Sequence, residues 1–488
     1  MFRSIIEAVA YHGKNTPENI CVVDETKALT YREFWIHIND IAEKLKKLGI
    51  QQQDKVAVEC TQNADFLICG LACHLMGAVF VPLEKNVAKE RAAEIIEVTE
   101  AKCFICRGDY EVPVTCVKEK EFFEACSATP EKRIELPKED DVAEILYSTG
   151  TTGKAKGIVI THKNNVAVAE NIVYGTQMPK NNVELVPMPL SHSHALRTCY
   201  ANLLNGSTMI ITDGVMRVKK IFELMENYGV NAFDLSPSAA NVLVKIARKK
   251  LQEYSKQIAF IEIGSAALEE GLKEELCELF PDSRLYNFYG STEAGRSCIL
   301  DFNQEKGKQG CIGKPTKNAK FIITNQNREE IQSNKENPGL VAVSGSMNMK
   351  EYLKAEELTK QTMQNGFIYT SDLGYIDEMG YVYILGRMDD VINYNGIKIA
   401  PEEIESIVRE YPGVTDCACV PVKDDMGGQA PKVFVSVENT EDFDTSLLLK
   451  YLSERMEVNK LPRKAEIIDK IPRASNGKIL RRELKEDI

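Results

Sequence analysis

The chain has no excess of positive charge, no apolar run that clearly spans a bilayer, no cysteine framework, no internal repeat and no low-complexity tract. Each absence removes a class. Its 60 Lys+Arg stand against 72 Asp+Glu, a net charge of −12. That excludes a surface built for nonspecific binding of nucleic acid or anionic lipid, although a local site for a small anion remains open. The most apolar stretch, Phe66–Leu83, is interrupted at Gly77 and Pro82, short of the roughly twenty residues that a crossing helix needs. A buried helix followed by a buried strand is expected there, with no membrane span. The 14 cysteines are scattered. Cys103-x-x-Cys106 and Cys417-x-Cys419 lie in apolar, strand-like runs without a second pair at zinc-ribbon spacing, which reads as buried small hydrophobes. Met1-Phe2-Arg3-Ser4 leads into an amphipathic stretch, unlike a secretory leader, so a cytoplasmic setting with free thiols is expected.

What is present is ordinary globular composition over 488 residues, 44% apolar and 27% charged. At about 150 residues per domain, that length allows two to four domains. Strand and helix patterns alternate through the first three hundred residues or so: strands at 54–59, 78–81, 143–147, 208–212 and 258–263, and helices at 65–76, 89–97, 164–173, 218–227, 238–250 and 268–279. Such alternation implies an α/β body of parallel-rich sheets covered by helices. After about Gly307 the texture becomes β-rich, with turn signals at Glu336-Asn337-Pro338-Gly339 and a hairpin over 375–384. From Ala400 a small α+β pattern follows, with helices at 402–411 and 446–458 and strands at 414–420 and 432–437. The expected division is a large body over 1–388, β-rich over 307–388, and a small domain over 389–488.

The most informative segment is Tyr147-Ser148-Thr149-Gly150-Thr151-Thr152-Gly153-Lys154-Ala155-Lys156-Gly157, placed between two strand patterns. Its glycines let the backbone approach an anion, its hydroxyls and N–H groups donate, and Lys154 and Lys156 supply charge. It is not a Walker loop, because Ser148 stands where the first glycine would be and Ala155 where Ser or Thr would follow the lysine.

The segment resembles the signature of the adenylate-forming superfamily, which includes acyl-CoA synthetases, aryl-CoA ligases, luciferases and peptide-synthetase adenylation domains. Ala155 replaces that family's usual proline. The similarity extends through Thr30-Tyr31-Arg32-Glu33-Phe34, Met76–Leu83, Gly264-Ser265-Ala266-Ala267, Asn287-Phe288-Tyr289-Gly290-Ser291-Thr292-Glu293, Tyr369–Gly374, Gly386-Arg387 and Gly477-Lys478-Ile479. The resemblance implies a reaction in two halves. A carboxylic acid displaces pyrophosphate from ATP to give an acyl-adenylate, and a thiol then takes the acyl group. It also implies roles residue by residue. Ser148 to Lys154 and Lys156 would cradle phosphates. Gly264, Ser265 and Ala266 would form one adenine wall, and Asn287, Phe288, Tyr289 and Gly290 the other, with Tyr289 stacking on the base. Thr292 would donate to the α-phosphate, and Glu293 would coordinate Mg²⁺. Asp372 and Arg387 would bind the ribose, Asp389 would be the hinge of a mobile C-terminal domain, Lys478 the catalytic lysine, and Gly396 would line the path of coenzyme A.

In the acyl pocket the resemblance places His192 as the carboxylate gate, with Ser193, Ser236, Ala267 and Gly290 as walls. His192-x-His194 also invites a metal reading, without a third ligand nearby. Ser193 stands where peptide-synthetase domains place an aspartate for the substrate amine, which disfavours amino acids. Asp234, in Phe233-Asp234-Leu235-Ser236, lies too late in the chain to be that aspartate. Arg296 either pairs a second carboxylate on the substrate or forms a structural ion pair. The expected activity is acid–CoA ligation, with loading of a carrier protein's phosphopantetheine arm as the alternative. The acid is open among short-chain, fatty, aryl and dicarboxylic classes, and the assembly is a monomer or homodimer.

Overall fold

The long apolar run resolves into a helix and a strand. In this computed structural model, Ala64–Leu75 is helical and buried on nearly every face, and Asn63 caps it by accepting from the N–H of Phe66 at 3.3 Å. Gly77, at φ +69, turns the chain into the buried strand Val79–Leu83. Among the described residues no helix is long and apolar enough to cross a membrane. The structure describes residues 2–123, 136–148, 156–388, 390, 392–394, 397–424, 428–473 and 479–484.

The chain divides into two compact units. The first comprises Met1–Gly307, Lys314–Lys320 and Val343–Ile368, and the second Lys308–Gly313, Phe321–Ala342 and Tyr369–Ile488. The break differs from the boundary expected at 388/389. Within the second unit the hairpin Phe367–Ile376/Val382–Arg387 pairs Val382 and Tyr383 with Gly313 and Cys311.

Two sheets build the first unit. One runs Glu351–Tyr352, Lys156–Thr161, Val142–Ser148, Val79–Leu83, Lys55–Glu59, Cys103–Cys106 and Thr115–Lys118. It is parallel from Val142–Ser148 onward and antiparallel at the other edge. The other carries Ile20–Val23, Thr208–Ile211, Val183–Val186, Ala232–Leu235, Phe260–Ile263 and Arg284–Ser291 in parallel, then Gly295–Asp301 antiparallel. The parallel strands are mostly apolar because both faces are covered, with buried carboxylates at Glu144, Glu184, Asp234 and Glu262 among the exceptions. Phe80, Phe104, Phe233 and Phe260 are essentially inaccessible, and each such side chain contributes about 1.5–3 kcal/mol on burial.

In the second unit, Val414–Asp424, Gly428–Val437 and Lys464–Ile467 form a small sheet with Ile392–Tyr394 and Ile397–Ile399. Helices Pro401–Arg409 and Thr445–Ser453 pack on it through Ile404, Val408, Leu448 and Leu452. The second helix stops at Ser453, short of the expected Val458. Val458 is 82% exposed, so no apolar contact rewards extending the helix to it. Cys417 and Cys419 are buried free thiols in this core, as Cys103 and Cys106 are in the first unit.

Candidate active site

The element Tyr289-Gly290-Ser291-Thr292-Glu293 forms the end of strand Arg284–Ser291 and the turn that returns as Gly295–Asp301. The turn is possible because residue 290 lacks a side chain: a Cβ on Gly290 would lie 2.0 Å from the carbonyl oxygen of Gly295. Thr292 and Glu293 therefore sit at a hairpin tip, and four neighbours fix them. Ser193 Oγ lies 3.1 Å from Thr292 Oγ1. Tyr352 donates its phenolic O–H to Glu293 Oε1 at 2.8 Å, and the N–H of Met349 donates to the Glu293 carbonyl at 2.7 Å. Arg197 donates to the carbonyls of Ser291 and Thr292 at 3.0 and 2.7 Å. Its guanidinium is buried, which lowers its pKa to about 10 although Glu144 and Glu293 act against that shift. Neither Arg197 nor Tyr352 is a site residue by sequence motif. The one available signal is that Arg197 is the sole Lys, Arg, Asp or Glu in helix Ser193–Asn205.

The opposing wall begins at His192, which N-caps that helix and lies 3.9 Å from Glu84. Burial lowers its pKa. His194 has both ring nitrogens engaged, Nε2 with Asp234 Oδ1 and Nδ1 with Ser265 Oγ, each at 2.6 Å. This corrects the metal reading of His192-x-His194, since the second ring has no nitrogen left for an ion. Burial alone would raise the Asp234 carboxyl, but His194, Arg296 and Thr198 overcome it and hold the group below its usual range.

Gly264 closes strand Phe260–Ile263, and a Cβ there would lie 2.3 Å from the Phe288 ring, so the close packing of Phe288 requires glycine. Ser265 follows with φ +76. Ala266 is half-buried and Ala267 exposed. Ser236 caps helix Pro237–Glu253: its Oγ accepts from the N–H of Ala239 at 3.1 Å and bonds Ser238 Oγ at 2.9 Å. The expected role of its hydroxyl as a pocket wall thus meets a local structural use.

Of its two readings, Arg296 takes the structural ion pair. It is 4% exposed, pairs with Glu262, donates to Thr198 at 2.7 Å and reaches Asp234 at 3.3 Å. Its guanidinium stacks 3.9 Å from the centroid of Phe288. Its charge is matched by two carboxylates of the protein, which leaves none for a second carboxylate on a substrate.

In the second unit Asp372 and Arg387 occupy opposite positions on the hairpin, which puts both side chains on one face. Arg481, three positions beyond Lys478, donates to both oxygens of Glu405 at 2.8 and 2.9 Å and to Glu402 at 3.0 Å. It ties the chain's end to helix Pro401–Arg409. Lys156 lies with Nζ 5.7 Å from the Tyr352 ring centroid. Residues 149–155, the side chain of Ser148, Asp389, Gly396 and Lys478 lie outside the described residues.

The AMP-binding enzyme family matches residues 9–353, and the AMP-binding enzyme C-terminal domain matches 403–478. The chain belongs to the AMP-binding enzyme family. It is 29% identical over 491 residues to 4-coumarate–CoA ligase CCL1 of Humulus lupulus, covering 94% of this chain and 88% of the relative. It is 29% identical over 498 residues to 4-coumarate–CoA ligase 1 of Narcissus pseudonarcissus, covering 95% and 90%. Among solved structures, ATP-bound MatB from Rhodopseudomonas palustris superposes with a TM-score of 0.90 at 24% identity, covering 99% of this chain and 98% of that one. O-succinylbenzoate CoA synthetase from Bacillus subtilis with its acyl-adenylate gives 0.88 at 24%, covering 99% and 98%. These two likenesses establish the shared fold, with the large body, β-rich region and small C-terminal domain expected from the sequence.

Proposed function

We propose that this AMP-binding enzyme is an ATP-dependent acid–CoA ligase that works through an acyl-adenylate. The observation that carries the reading is the hairpin tip, where Ser193, Arg197 and Tyr352 hold a hydroxyl and a carboxylate side by side. Preorganised donors and charges of this kind supply most of the rate when a reaction consists of positioning and charge stabilisation.

In the first half-reaction a carboxylate oxygen of the acid attacks the α-phosphorus of ATP, and pyrophosphate leaves. Thr292 donates to an α-phosphate oxygen, Tyr289 stacks on adenine, Asp372 and Arg387 bind the ribose, and the glycine-rich loop with Lys154 and Lys156 holds the phosphates. Lys478 offsets the charge that develops on the transferring oxygens. In the second half-reaction the thiol sulfur of coenzyme A attacks the acyl carbonyl and AMP leaves. Swinging of the C-terminal domain about Asp389 withdraws Lys478, and Gly396 lines the thiol's path. His192 gates the acid.

Mg²⁺ suits this site. Among the described residues no cluster of three potential metal ligands exists, and an ion that binds through one or two carboxylates plus substrate phosphates does not need one. Glu293, oriented by Tyr352, would be that carboxylate. When bound, the ion neutralises phosphate charge.

The test is acid-dependent ATP–pyrophosphate exchange across aliphatic, aryl and dicarboxylic acids, followed by coenzyme A with the best acid. Exchange and acyl-CoA formation are expected. Absence of exchange with every acid refutes the reading, and exchange without acyl-CoA formation removes coenzyme A as the acceptor.

A further inference from the structure

Strand Val142–Ser148, which runs into the glycine-rich segment, carries one charged residue, Glu144, and that residue is fully buried. Its Oε2 accepts from the phenol of the buried Tyr200 at 2.7 Å. The pairing register with Lys156–Thr161 shifts between Val142 and Glu144, an irregularity of the kind that re-aims a side chain. Burial pushes the carboxyl up to about 6, against the pull of Tyr200 and Arg197. Two imidazoles lie nearby: His74 Nε2 is 3.8 Å from Oε2, and the His162 ring centroid is 5.0 Å from that of His74. Burial holds His74 well below its usual range and His162 at about 4, so neither is a competing cation near neutral pH. The positive charge that answers Glu144 is Arg197.

Arg197 and Tyr200 share helix Ser193–Asn205 with Ser193, and positions 193, 197 and 200 fall on one stripe of it. The stripe has two destinations. Ser193 and Arg197 reach the hairpin tip, the arginine by forking onto the consecutive carbonyls of Ser291 and Thr292. Tyr200 reaches Glu144. Burial works against the charge of Arg197, and Glu144 offsets this more than Glu293 does. Carbonyls carry no net charge, so the fork by itself does not keep a guanidinium in a dry interior, whereas a carboxylate does. An apolar residue at 144 would leave the arginine a lone buried charge, with water a better partner than the hairpin.

Resting on the ligase reading above, we propose that Glu144 is a positioning residue for acyl-adenylate formation. It balances Arg197 and anchors Tyr200, and so fixes the hairpin that carries Thr292 and Glu293 against the strand that leads into the glycine-rich segment. Being fully buried, it acts through these two side chains and touches no reactant.

The experiment uses the full chain, with acid-dependent ATP–pyrophosphate exchange for the first half-reaction and transfer from supplied acyl-adenylate to coenzyme A for the second. Glu144→Gln keeps an acceptor for Tyr200 and removes the charge. Tyr200→Phe keeps both charges and removes the hydrogen bond, and it carries the test alone if Glu144→Gln does not fold. Circular dichroism matching the parent establishes folding, and rates are taken per folded molecule. Each variant is expected to lose about tenfold in kcat of exchange, the scale of a hydrogen bond to a charged group. KM for ATP and for the acid should stay within about twofold of the parent, and so should the transfer half-reaction. A purely structural role would lower the amount of folded protein and leave its kcat unchanged. Exchange within about twofold of the parent in a folded variant overturns the inference, as does a loss carried by KM or an equal loss in both half-reactions, and the ligase reading then stands. Absence of exchange by the parent with every acid overturns the ligase reading and this inference together.

Discussion

Replacing Arg296 by methionine keeps much of the side chain's length and removes its charge. In the native protein that charge faces Glu262 and Asp234, both fully buried. Breaking a buried pair from one side costs about 3–5 kcal/mol, because the remaining charge has no water to return to. Losing the stack on Phe288 adds a smaller amount, about 0.5–2 kcal/mol. The loss depends on pH in a defined direction. Burial pushes the Glu262 carboxyl up to about 7 even though Arg296 pulls it down. A carboxyl raised on folding contributes stability at low pH that is lost as pH rises from its unfolded range, near 4.5, through its folded value. Without Arg296 the carboxyl stays protonated to higher pH, so its loss continues further upward. Asp234, held below its usual range, loses its cation at every pH in this window, so the deficit of Arg296→Met relative to the parent should already be present near pH 6 and grow to its largest above pH 8. Trp35, the sole tryptophan, lies in helix Tyr31–Lys47 of the first unit and reports its unfolding by urea without a signal from the second. A deficit below about 1 kcal/mol at pH 8, the size of an ordinary surface change, would refute the buried-pair account. A rise in KM confined to dicarboxylic acids would restore Arg296 to the acyl pocket.

Tyr352→Phe removes the hydrogen bond to Glu293 and should lower adenylation by about tenfold, the upper end of what one hydrogen bond contributes, while leaving transfer from supplied acyl-adenylate to coenzyme A unchanged. Equal loss in both half-reactions would contradict its role. Gly290→Ala places a methyl against the Gly295 carbonyl and should abolish exchange while costing about 1–3 kcal/mol in the Trp35-reported transition. Wild-type exchange in this variant would mean that the hairpin has room to shift. Burial raises Glu184 to about 8, with Asp234 adding to the rise against the hydrogen bond from Asn202. Its contribution to stability is therefore lost as pH climbs toward that value. Glu184→Gln should raise the urea midpoint more at pH 8.5 than at pH 6.5, and a pH-independent change would count against a buried neutral carboxyl.

The elements were legible because their local chemistry is consistent. Apolar-rich strands, Thr, Asn and Ser caps at helices such as Tyr31–Lys47, Ala64–Leu75 and Pro237–Glu253, and the glycine at 77 read the same way in the sequence and in the fold. Thr161 shows this directly, since it caps helix His162–Gly175 through a reciprocal bond with Asn164. The motif at 287–293 was legible as a turn because only glycine fits at 290. The support behind the site was not. Arg296 meets Glu262 and Asp234 across 34 and 62 residues of sequence, and Arg197 meets Ser291 and Thr292 across 94 and 95. No local pattern records such pairings. For the same reason His192 and His194 look equivalent in sequence, although the ring of one lies 3.9 Å from Glu84 and that of the other links Asp234 to Ser265. The positive φ of Ser265 was hidden too, because serine carries no signal for left-handed backbone.

The tie between Tyr352 and Glu293 also has a consequence during synthesis. The two residues are 59 positions apart, so at roughly 5–20 residues per second the ribosome needs about 3–12 s to supply the second after the first. The strand Lys156–Thr161 waits longer still, since its outer neighbour Glu351–Tyr352 is made nearly two hundred residues later. Until then it presents an open row of N–H and C=O groups, the kind of edge that invites pairing with another chain. Translation between about residue 161 and residue 352 is thus the interval in which a nascent chain is most exposed to misassembly, and in which a holdase chaperone would protect it most.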